Sequence, residues 1–399
     1  MDDVDLTVIA IPAYFGGMGA EYAVLKKRAA ENGPTPGTYE RQDTIASLTM
    51  GTASLVAPLV VGKLLDQVTP GKGRFAKALV ITAVGAGVAA TVADVIARRG
   101  DGPLPQAGTL PHSFRNPTSA PETTASDEAA ELDGSRAKRR RMAKLARKVA
   151  GSAGATAVVG GAVAVAATWS ARTGGRKLWD KRIVKDLGDG PLAVAGAILA
   201  WDFIYYWNHR LAHESRYLWA MHVVHHSSEH YNLSTALRQP VADALVTSIP
   251  YGALALFGFR PDVIETARGV NLLYQFWIHT EVIDTIGPFE KYFNSASLHR
   301  VHHGSNRQYL DRNHGSILII WDRLFGTHEV EDEPVVYGLT KNIDTYNPAV
   351  IATHEFGDII SDVAHSTSWS DRLSYTFRGP GWAYEHRAPA AQTKRAWVA

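Results

Sequence analysis

The chain alternates between long apolar blocks and polar segments. Five blocks are about 20 residues long, which is enough for a helix to cross ~30 Å of hydrocarbon. They lie at residues 6–25, 44–65, 75–97, 149–169 and 190–206. Buried helices of a soluble core are the alternative, but the many small residues of the third and fourth blocks are typical of close helix packing in lipid. The pattern therefore predicts membrane-spanning helices.

Basic residues mark the ends of several blocks. They follow the first and third blocks and precede the fourth. Under the positive-inside rule these ends face the cytoplasm, and the segment after the fifth block then lies on the same side. The basic loop 171–188 would lie on the opposite side, which counts against this topology. A cleaved signal peptide is disfavoured because its basic residues would follow the apolar run instead of preceding it.

A polar segment separates the third block from the fourth. Residues 100–135 are rich in Pro, Ser, Thr, Ala and acidic side chains and predict a disordered linker. Residues 135–148 are strongly basic, which could suit nucleic acid, but the apolar block directly after them favours a juxtamembrane segment beside anionic lipid. We expect four regions: N-terminal membrane helices at 1–99, a disordered basic cytoplasmic linker at 100–148, a catalytic domain at 149–340 and a cytoplasmic tail at 341–399.

Two shorter apolar stretches lie at 241–259 and 263–278, and they carry Pro250 and Pro261. They predict a hairpin that enters the bilayer and returns the chain to the same face. The residues from 279 to 328 are polar, aromatic and rich in turns.

Composition narrows the possible chemistry. The chain has no cysteine among its 399 residues, which excludes disulfide scaffolds, thiolate zinc sites, iron–sulfur clusters and thiol nucleophiles. A formal net charge of +2 gives no polyelectrolyte character, so no nucleic-acid partner is expected. Any metal must be bound by His, Asp or Glu.

Three motifs concentrate histidine after the fifth block. They are H-x-x-x-H (His209, His213) and two copies of H-x-x-H-H (His222, His225, His226; His299, His302, His303). Residues i and i+3 or i+4 share one helix face, so we expect each motif to direct its imidazoles at one point. Imidazole suits Fe, Zn, Cu and Ni. A single zinc takes about four ligands, so eight histidines are enough for two metal ions.

Further candidates lie near these motifs. His279 follows an apolar stretch and is a ninth expected ligand, whereas His230, His314 and His328 are interpreted as hydrogen-bonding surface or interface residues. Asp202 shares a helical face with the first motif. It is expected either to accept a hydrogen bond from an imidazole N–H or to act as an interface charge.

Other histidine-rich proteins are less compatible with this pattern. Metal-storage tracts run their histidines together in low-complexity sequence, whereas these are phased and follow predicted membrane helices. No H-E-x-x-H motif of a zinc hydrolase occurs. The expected fold class is therefore all-α: a polytopic integral membrane bundle with a histidine-rich di-metal helical cap at the cytoplasmic face.

Three phased histidine boxes after membrane spans resemble the fatty acid hydroxylase/sterol desaturase superfamily. Several stretches are similar to its alkylglycerol monooxygenase branch: "DTIASLTMG" (43–51), "SSEHYNLSTALRQ" (227–239), "NLLYQFWIHTEVI" (271–283), "LHRVHHGSN" (298–306) and "ILIIWDRLFGT" (317–327). The resemblance is strong from residue 202 to the region of residue 348 and weaker at both ends.

The resemblance implies an integral-membrane oxygenase with two iron ions that uses O2 on an aliphatic C–H of an alkyl, acyl or sterol lipid. An external reductant would be a tetrahydropterin or an electron-transfer protein. Glu229 and Glu281 lie in matching stretches and are candidate catalytic carboxylates together with Asp202. Asn313 and Asp322 match positions expected to brace the last box.

Two departures affect the expected substrate. His230 stands where the family leads us to expect an acidic residue, and His314 stands where an aromatic is expected. They suggest a changed pocket edge, so the identity of the lipid does not carry over.

Several alternatives remain at the level of sequence. Hydroxylation and desaturation share the same metal chemistry. A metal-binding or transport membrane protein is the alternative from another class, and a soluble zinc hydrolase is a third. High Ala, Gly, Val and Arg usage suggests a GC-rich bacterial genome, and the bacterial plasma membrane is then the expected location.

Overall fold

The computed structural model describes residues 6–101, 125–242 and 248–387. These residues form α-helices and short 3-10 turns with no β-strand, which confirms the all-α prediction. The α-helices are α1 (Leu6–Ile9), α2 (Ile11–Asn32), α3 (Arg41–Val68), α4 (Ala76–Asp101), α5 (Ala125–Thr173), α6 (Gly175–Trp179), α7 (Pro191–Glu214), α8 (Arg216–His226), α9 (Pro261–Trp277), α10 (Ala296–His302), α11 (Ile320–Phe325), α12 (Pro348–His365), α13 (Trp369–Phe377) and α14 (Pro380–His386). Described 3-10 helices cover Thr235–Leu237, Tyr251–Phe257 and Gly287–Lys291.

The described residues divide into two compact units. The first takes its residues from 6–77, 162–359 and 376–387, and the second from 78–101, 125–161 and 360–375. All three histidine motifs belong to the first unit. Within the second unit, the buried guanidinium of Arg372 pairs with the carboxylate of Asp94 at 2.5 Å.

Three helices are long and apolar enough to cross a membrane: Arg41–Val68 in α3, Ala76–Arg99 in α4 and Asp133–Thr173 in α5. They confirm the second, third and fourth predicted spans as apolar helices. Large apolar side chains remain exposed along them, such as Leu59 at 68% and Ile81 at 70%. Such exposure is typical of surfaces that face lipid. The chain is accordingly an integral membrane protein, while the face on which each loop lies stays a prediction.

The first and fifth predicted spans are helical, but they are not among these three helices. In α2 the buried carboxylate of Glu21 accepts hydrogen bonds from the Tyr39 hydroxyl at 2.5 Å and the Leu233 amide at 2.8 Å. The second half of α7 carries Asp202 and the first histidine box. Polar side chains of both helices thus make contacts within the first unit.

The predicted disordered linker is wrong from residue 125 onward, because residues 125–148 are helical within α5. Its Ala, Lys and Arg residues have high helix propensity, so the helix continues through them into the apolar part. Residues 102–124 of the linker lie outside the described residues. The predicted boundary at residue 149 falls inside α5, and the four-region division stays a prediction.

The predicted hairpin is a short 3-10 helix, Tyr251–Phe257, followed by α9, which begins at Pro261. Residues 243–247 lie outside the described residues. A buried apolar cluster joins these two elements to α7 through Ala197, Trp201, Ala255, Ile264 and Ala267. Small alanines allow the helices to approach closely. This core fixes α7 relative to α9, and those helices lead to His209 and His279.

Candidate metal centre

Each histidine box lies on or at the end of an α-helix. His209 and His213 are on α7. The second box is on α8, which a single residue, Ser215, separates from α7. Of the third box, His299 and His302 are on α10 and His303 is its C-cap. The hydroxyl of Ser295 caps α10 by accepting from the Leu298 amide at 3.3 Å.

All nine predicted ligands converge in two groups, within each of which the candidate ligand atoms lie within 4.8 Å of one another. Group one contains His209, His213, His222, His226 and His302. Group two contains His225, His279, His299 and His303. The expectation that each motif aims at one point is wrong for the second and third boxes. Adjacent histidines diverge by about 100° on a helix, so each of these boxes supplies both groups.

Backbone carbonyls fix the tautomer of three of these imidazoles. A carbonyl can only accept, so the Nδ1 atoms donate: His209 to His314 at 2.8 Å, His279 to Gln275 at 2.7 Å and His302 to Arg312 at 2.8 Å. The Nε2 atom of each neutral ring then carries a lone pair. This is the arrangement in which the outer nitrogen orients a metal-ligating histidine.

The inner nitrogens crowd together. His209 Nε2 lies 2.8 Å from His222 Nε2, and His279 Nε2 lies 3.0 Å from His299 Nε2. The buried Nε2 atoms of His302 and His303 have no hydrogen-bond partner. Lone pairs that converge in a buried, unsatisfied cluster are costly unless a cation lies between them. The residues therefore fit two metal ions.

Burial also sets the charge of the rings. It lowers the pKa of His209 to about 3, with a further contribution from His213, and lowers the pKa of His279 to about 4. Burial likewise holds the pKa of His299 and His302 well below the ordinary value of 6.5. These imidazoles are neutral at pH 7, which is the form that binds metal.

A tight loop, residues 311–316, supplies two of the three orienting carbonyls. Asp311 and Asn313 flank Arg312 with φ values of 57° and 54°, a conformation that Asp and Asn tolerate better than most residues. The Asn313 side chain donates to the carbonyl of Leu298 at 2.9 Å, immediately before His299. The prediction that Asn313 braces the last box is confirmed.

Asp322 braces the loop itself. Its carboxylate accepts from the amides of His314 and Gly315, both at 2.7 Å, and from the Thr327 hydroxyl at 2.7 Å. Burial nevertheless raises the pKa of Asp322 to about 6. Since the His314 carbonyl orients His209, Asp322 acts on the first box as well as on the segment after the third.

A buried ion pair that the sequence analysis did not assign braces the second box. Arg238 donates to Asp43 at 2.9 Å and to the Ser227 hydroxyl at 3.0 Å, and the Ser228 hydroxyl donates to Asp43 at 2.7 Å. Ser227 follows His226 directly. The sequence signal for this ion pair was Asp43, a charged residue near the start of a mostly apolar helix.

The three predicted carboxylates lie outside both groups. Asp202 accepts from the amides of Ile317 and Leu318 and from the Trp321 indole at 2.9 to 3.2 Å, so the imidazole partner expected for it is wrong. Glu229 is exposed. The catalytic role predicted for these side chains stays a prediction.

Glu281 connects chain segments. It accepts from the Thr35 hydroxyl at 2.9 Å, the Gly37 amide at 3.0 Å and the Tyr337 hydroxyl at 3.1 Å. The ring of Tyr337 stacks on Tyr231 with centroids 4.8 Å apart, and Tyr231 in turn packs against His279 and His303. Glu281 therefore contacts group two only indirectly.

The remaining histidines are not members of either group. His314 is buried, with its ring 5.0 Å from that of His213, and contributes a carbonyl rather than a ring nitrogen to the hydrogen bonding of group one. His230 and His328 are partly buried.

A cavity of about 900 Å³ reaches both groups. Its wall includes His209 and His222 of group one and His225 of group two. Apolar side chains line much of the remainder: Trp201, Leu218, Met221, Ile264 and Leu272. Volume and lining suit a ligand with a long apolar part.

The part of the chain that carries the histidine boxes is similar to known proteins. Residues 194–327 match the family model for fatty acid hydroxylase. The chain is 50% identical over 194 residues to alkylglycerol monooxygenase of Homo sapiens, covering 49% of this chain and 43% of that protein. For alkylglycerol monooxygenase of Danio rerio the identity is 47% over 186 residues, covering 47% and 42%.

A bacterial relative is more distant. Ornithine lipid hydroxylase OlsE of Rhizobium tropici is 32% identical over 143 residues, covering 35% of this chain and 43% of that protein. The chain thus spans less than half the length of each of these three relatives. No solved structure is significantly similar to it. Residues 194–327 thus contain a domain similar to the fatty acid hydroxylases, and this part of the chain resembles alkylglycerol monooxygenases.

Proposed function

We propose that the protein is a membrane-bound di-iron oxygenase that uses O2 to hydroxylate the C–H beside the ether oxygen of an alkyl ether lipid. The observation that carries this proposal is the pair of buried histidine groups at the wall of a cavity that apolar side chains line in part. The names of the alkylglycerol monooxygenase relatives support the ether lipid as substrate.

Groups one and two would each hold one iron ion through their imidazole nitrogens. Bound iron would supply the activation of dioxygen that no amino-acid side chain provides. The chain's own contribution is to keep these rings neutral, to fix them through the carbonyls of Gln275, Arg312 and His314, and to bury them away from bulk water.

The reaction balances with an external two-electron donor. An ether R–CH2–O–R′, O2, two electrons and two protons give the hemiacetal R–CH(OH)–O–R′ and water. The hemiacetal then separates into an aldehyde and an alcohol. A tetrahydropterin or an electron-transfer protein would supply the electrons.

The cavity would bind the alkyl chain and orient it. Trp201, Met221 and Leu272 offer apolar contact, and the three histidines in the wall define which carbon lies next to the metals. We propose that this site lies at the cytoplasmic face of the membrane, on the side that the positive-inside rule assigns to the segment after the fifth predicted span. At a membrane face an alkyl chain can enter from the bilayer without crossing water. The bacterial plasma membrane is the location we propose.

The test is product analysis with protein purified in detergent, loaded anaerobically with Fe(II) and supplied with a reductant, a 1-O-alkylglycerol and ¹⁸O2. A long-chain aldehyde, reduced at once to its alcohol so that the label does not exchange, should carry ¹⁸O. An alkene product would mean desaturation instead. Oxygen consumption that does not respond to any lipid would contradict the proposal and favour a metal-binding or transport protein. The matched control is His302→Ala.

A further inference from the structure

A relay of four polar side chains lies beside the cavity. Tyr205 Oη lies 2.8 Å from Gln275 Oε1, and Gln275 Nε2 lies 2.5 Å from Asn271 Oδ1. The Asn271 amide nitrogen lies 3.1 Å from Asp202 Oδ1. Tyr205 and Gln275 are part of the cavity wall, whereas Asn271 and Asp202 are buried.

Asp202 fixes the direction of every hydrogen bond in this relay. Its two oxygens already accept from the Ile317 amide and from the Leu318 amide and Trp321 indole, groups that can only donate. Because Asp202 accepts at the end of the relay, the NH2 group of Asn271 must donate to it. The oxygen of Asn271 then faces Gln275. Gln275 must then present its own oxygen to Tyr205.

The hydroxyl of Tyr205 is therefore committed as a donor. A phenol has a single hydrogen, and this one is used on Gln275 Oε1, so the oxygen can still accept but cannot donate elsewhere. The ring of Tyr205 packs edge-on against the ring of His209 with centroids 5.2 Å apart. The phenol oxygen of Tyr205 thus lies in the cavity wall next to group one, where it can accept a hydrogen bond but has no proton left to donate.

We propose that Tyr205 is a specificity-determining residue that accepts a hydrogen bond from a free hydroxyl of the lipid. This inference rests on the proposed function, because it places that hydroxyl within a few atoms of the oxidised carbon. A lipid with that hydroxyl capped has no proton for Tyr205, and the capped group leaves the phenol oxygen desolvated without a partner.

The experiment pairs two lipids with three proteins. The lipids are a 1-O-alkylglycerol and the same compound methylated at its 2-hydroxyl. The proteins are the wild type, Tyr205→Phe and the control Tyr274→Phe. Tyr274 donates to the Asn294 carbonyl at 2.7 Å and is not among the described residues of the cavity wall. Dissociation constants are measured by calorimetry on metal-free protein in detergent, and kcat/KM is measured on the iron-loaded protein.

We expect the wild type to bind the free-hydroxyl lipid about five- to tenfold more tightly than the methylated one, which is the usual effect of one hydrogen bond. Tyr205→Phe should remove this preference, because it weakens binding of the free-hydroxyl lipid and relieves the desolvation cost of binding the methylated one. Tyr274→Phe should keep it. The ratio of kcat/KM values should change in parallel.

Equal preference in the wild type and Tyr205→Phe would overturn the inference. Turnover of both lipids by the wild type without discrimination would do so while leaving the proposed function intact. Conversely, hydroxyl-dependent binding to metal-free protein without any oxygen consumption would contradict the oxygenase and preserve the role of Tyr205. A general loss of binding for both lipids in Tyr205→Phe would also count against the inference, because it indicates a structural role.

Discussion

Groups one and two share the second and third histidine boxes but are oriented by different parts of the fold. In group one, His209 and His302 donate to carbonyls of loop 311–316, which Asp322 anchors. In group two, His279 donates to Gln275 on helix α9. A loop held by side-chain hydrogen bonds, among them those to Asp322, is easier to perturb than a helix backbone, so the two groups should respond separately to substitution.

Removal of one ligand from either group should have the largest effect. His302→Ala removes a side chain of group one and His299→Ala removes one of group two. Each should lower aldehyde formation by at least about 100-fold, because both ions are required for the proposed chemistry. Product yield per chain by mass spectrometry is the measurement. His328→Ala, outside both groups, is the control, and an active His299→Ala would remove group two from the mechanism.

Loss of the loop anchor should affect group one alone. Asp322→Ala deletes the acceptor of the His314 and Gly315 amides, so the carbonyl that orients His209 becomes free to move. We expect about 10- to 100-fold weaker metal binding at group one and little change at group two, followed by titration with Co(II) absorbance. Asp332→Ala is the matched control on a neighbouring segment. Equal weakening of both groups would mean that the loop supports the whole centre.

Substitution of the two candidate glutamates should have smaller effects on activity, and the effect should differ between them. Glu281→Gln weakens the contacts to Thr35, Gly37 and Tyr337 that lie behind group two, and we expect a few-fold loss of kcat. Glu229→Gln should be indistinguishable from wild type because this side chain is exposed. Initial rates of oxygen consumption measure both. A large loss in Glu229→Gln would restore the catalytic role predicted from the sequence.

Acidification should affect the two groups alike and should have the smallest effect. A histidine whose pKa is lower in the folded than in the unfolded protein gives stability that is complete above pH 6.5 and declines as the pH falls toward the folded value. Burial lowers the pKa of His209 in group one and of His279 in group two. Metal-free protein should therefore lose melting temperature below about pH 6.5, and a melting temperature that rises on acidification would contradict this.

Local spacing made the ligands predictable. A histidine at i and i+4, such as His222 and His226, is visible in the sequence because helix geometry alone brings the pair together. Helix geometry also separates adjacent His225 and His226. Which histidines each of them meets depends on where α9 and α10 pack, which no local pattern contains. Asp202 was misassigned for the same reason, since its partners Ile317 and Leu318 are more than 100 residues away.

The membrane helices were likewise predictable only in part. Composition identified α3, α4 and the apolar part of α5, because lipid-facing helices need only length and hydropathy. It misjudged residues 135–148, where helix propensity continues a helix through a basic segment.

Two separate groups of imidazoles should each hold one metal ion. This can be measured as iron content per chain on detergent-purified protein loaded anaerobically with Fe(II). We expect two irons in the wild type and about one in both His302→Ala and His299→Ala. One iron in the wild type, or full occupancy in either variant, would contradict it.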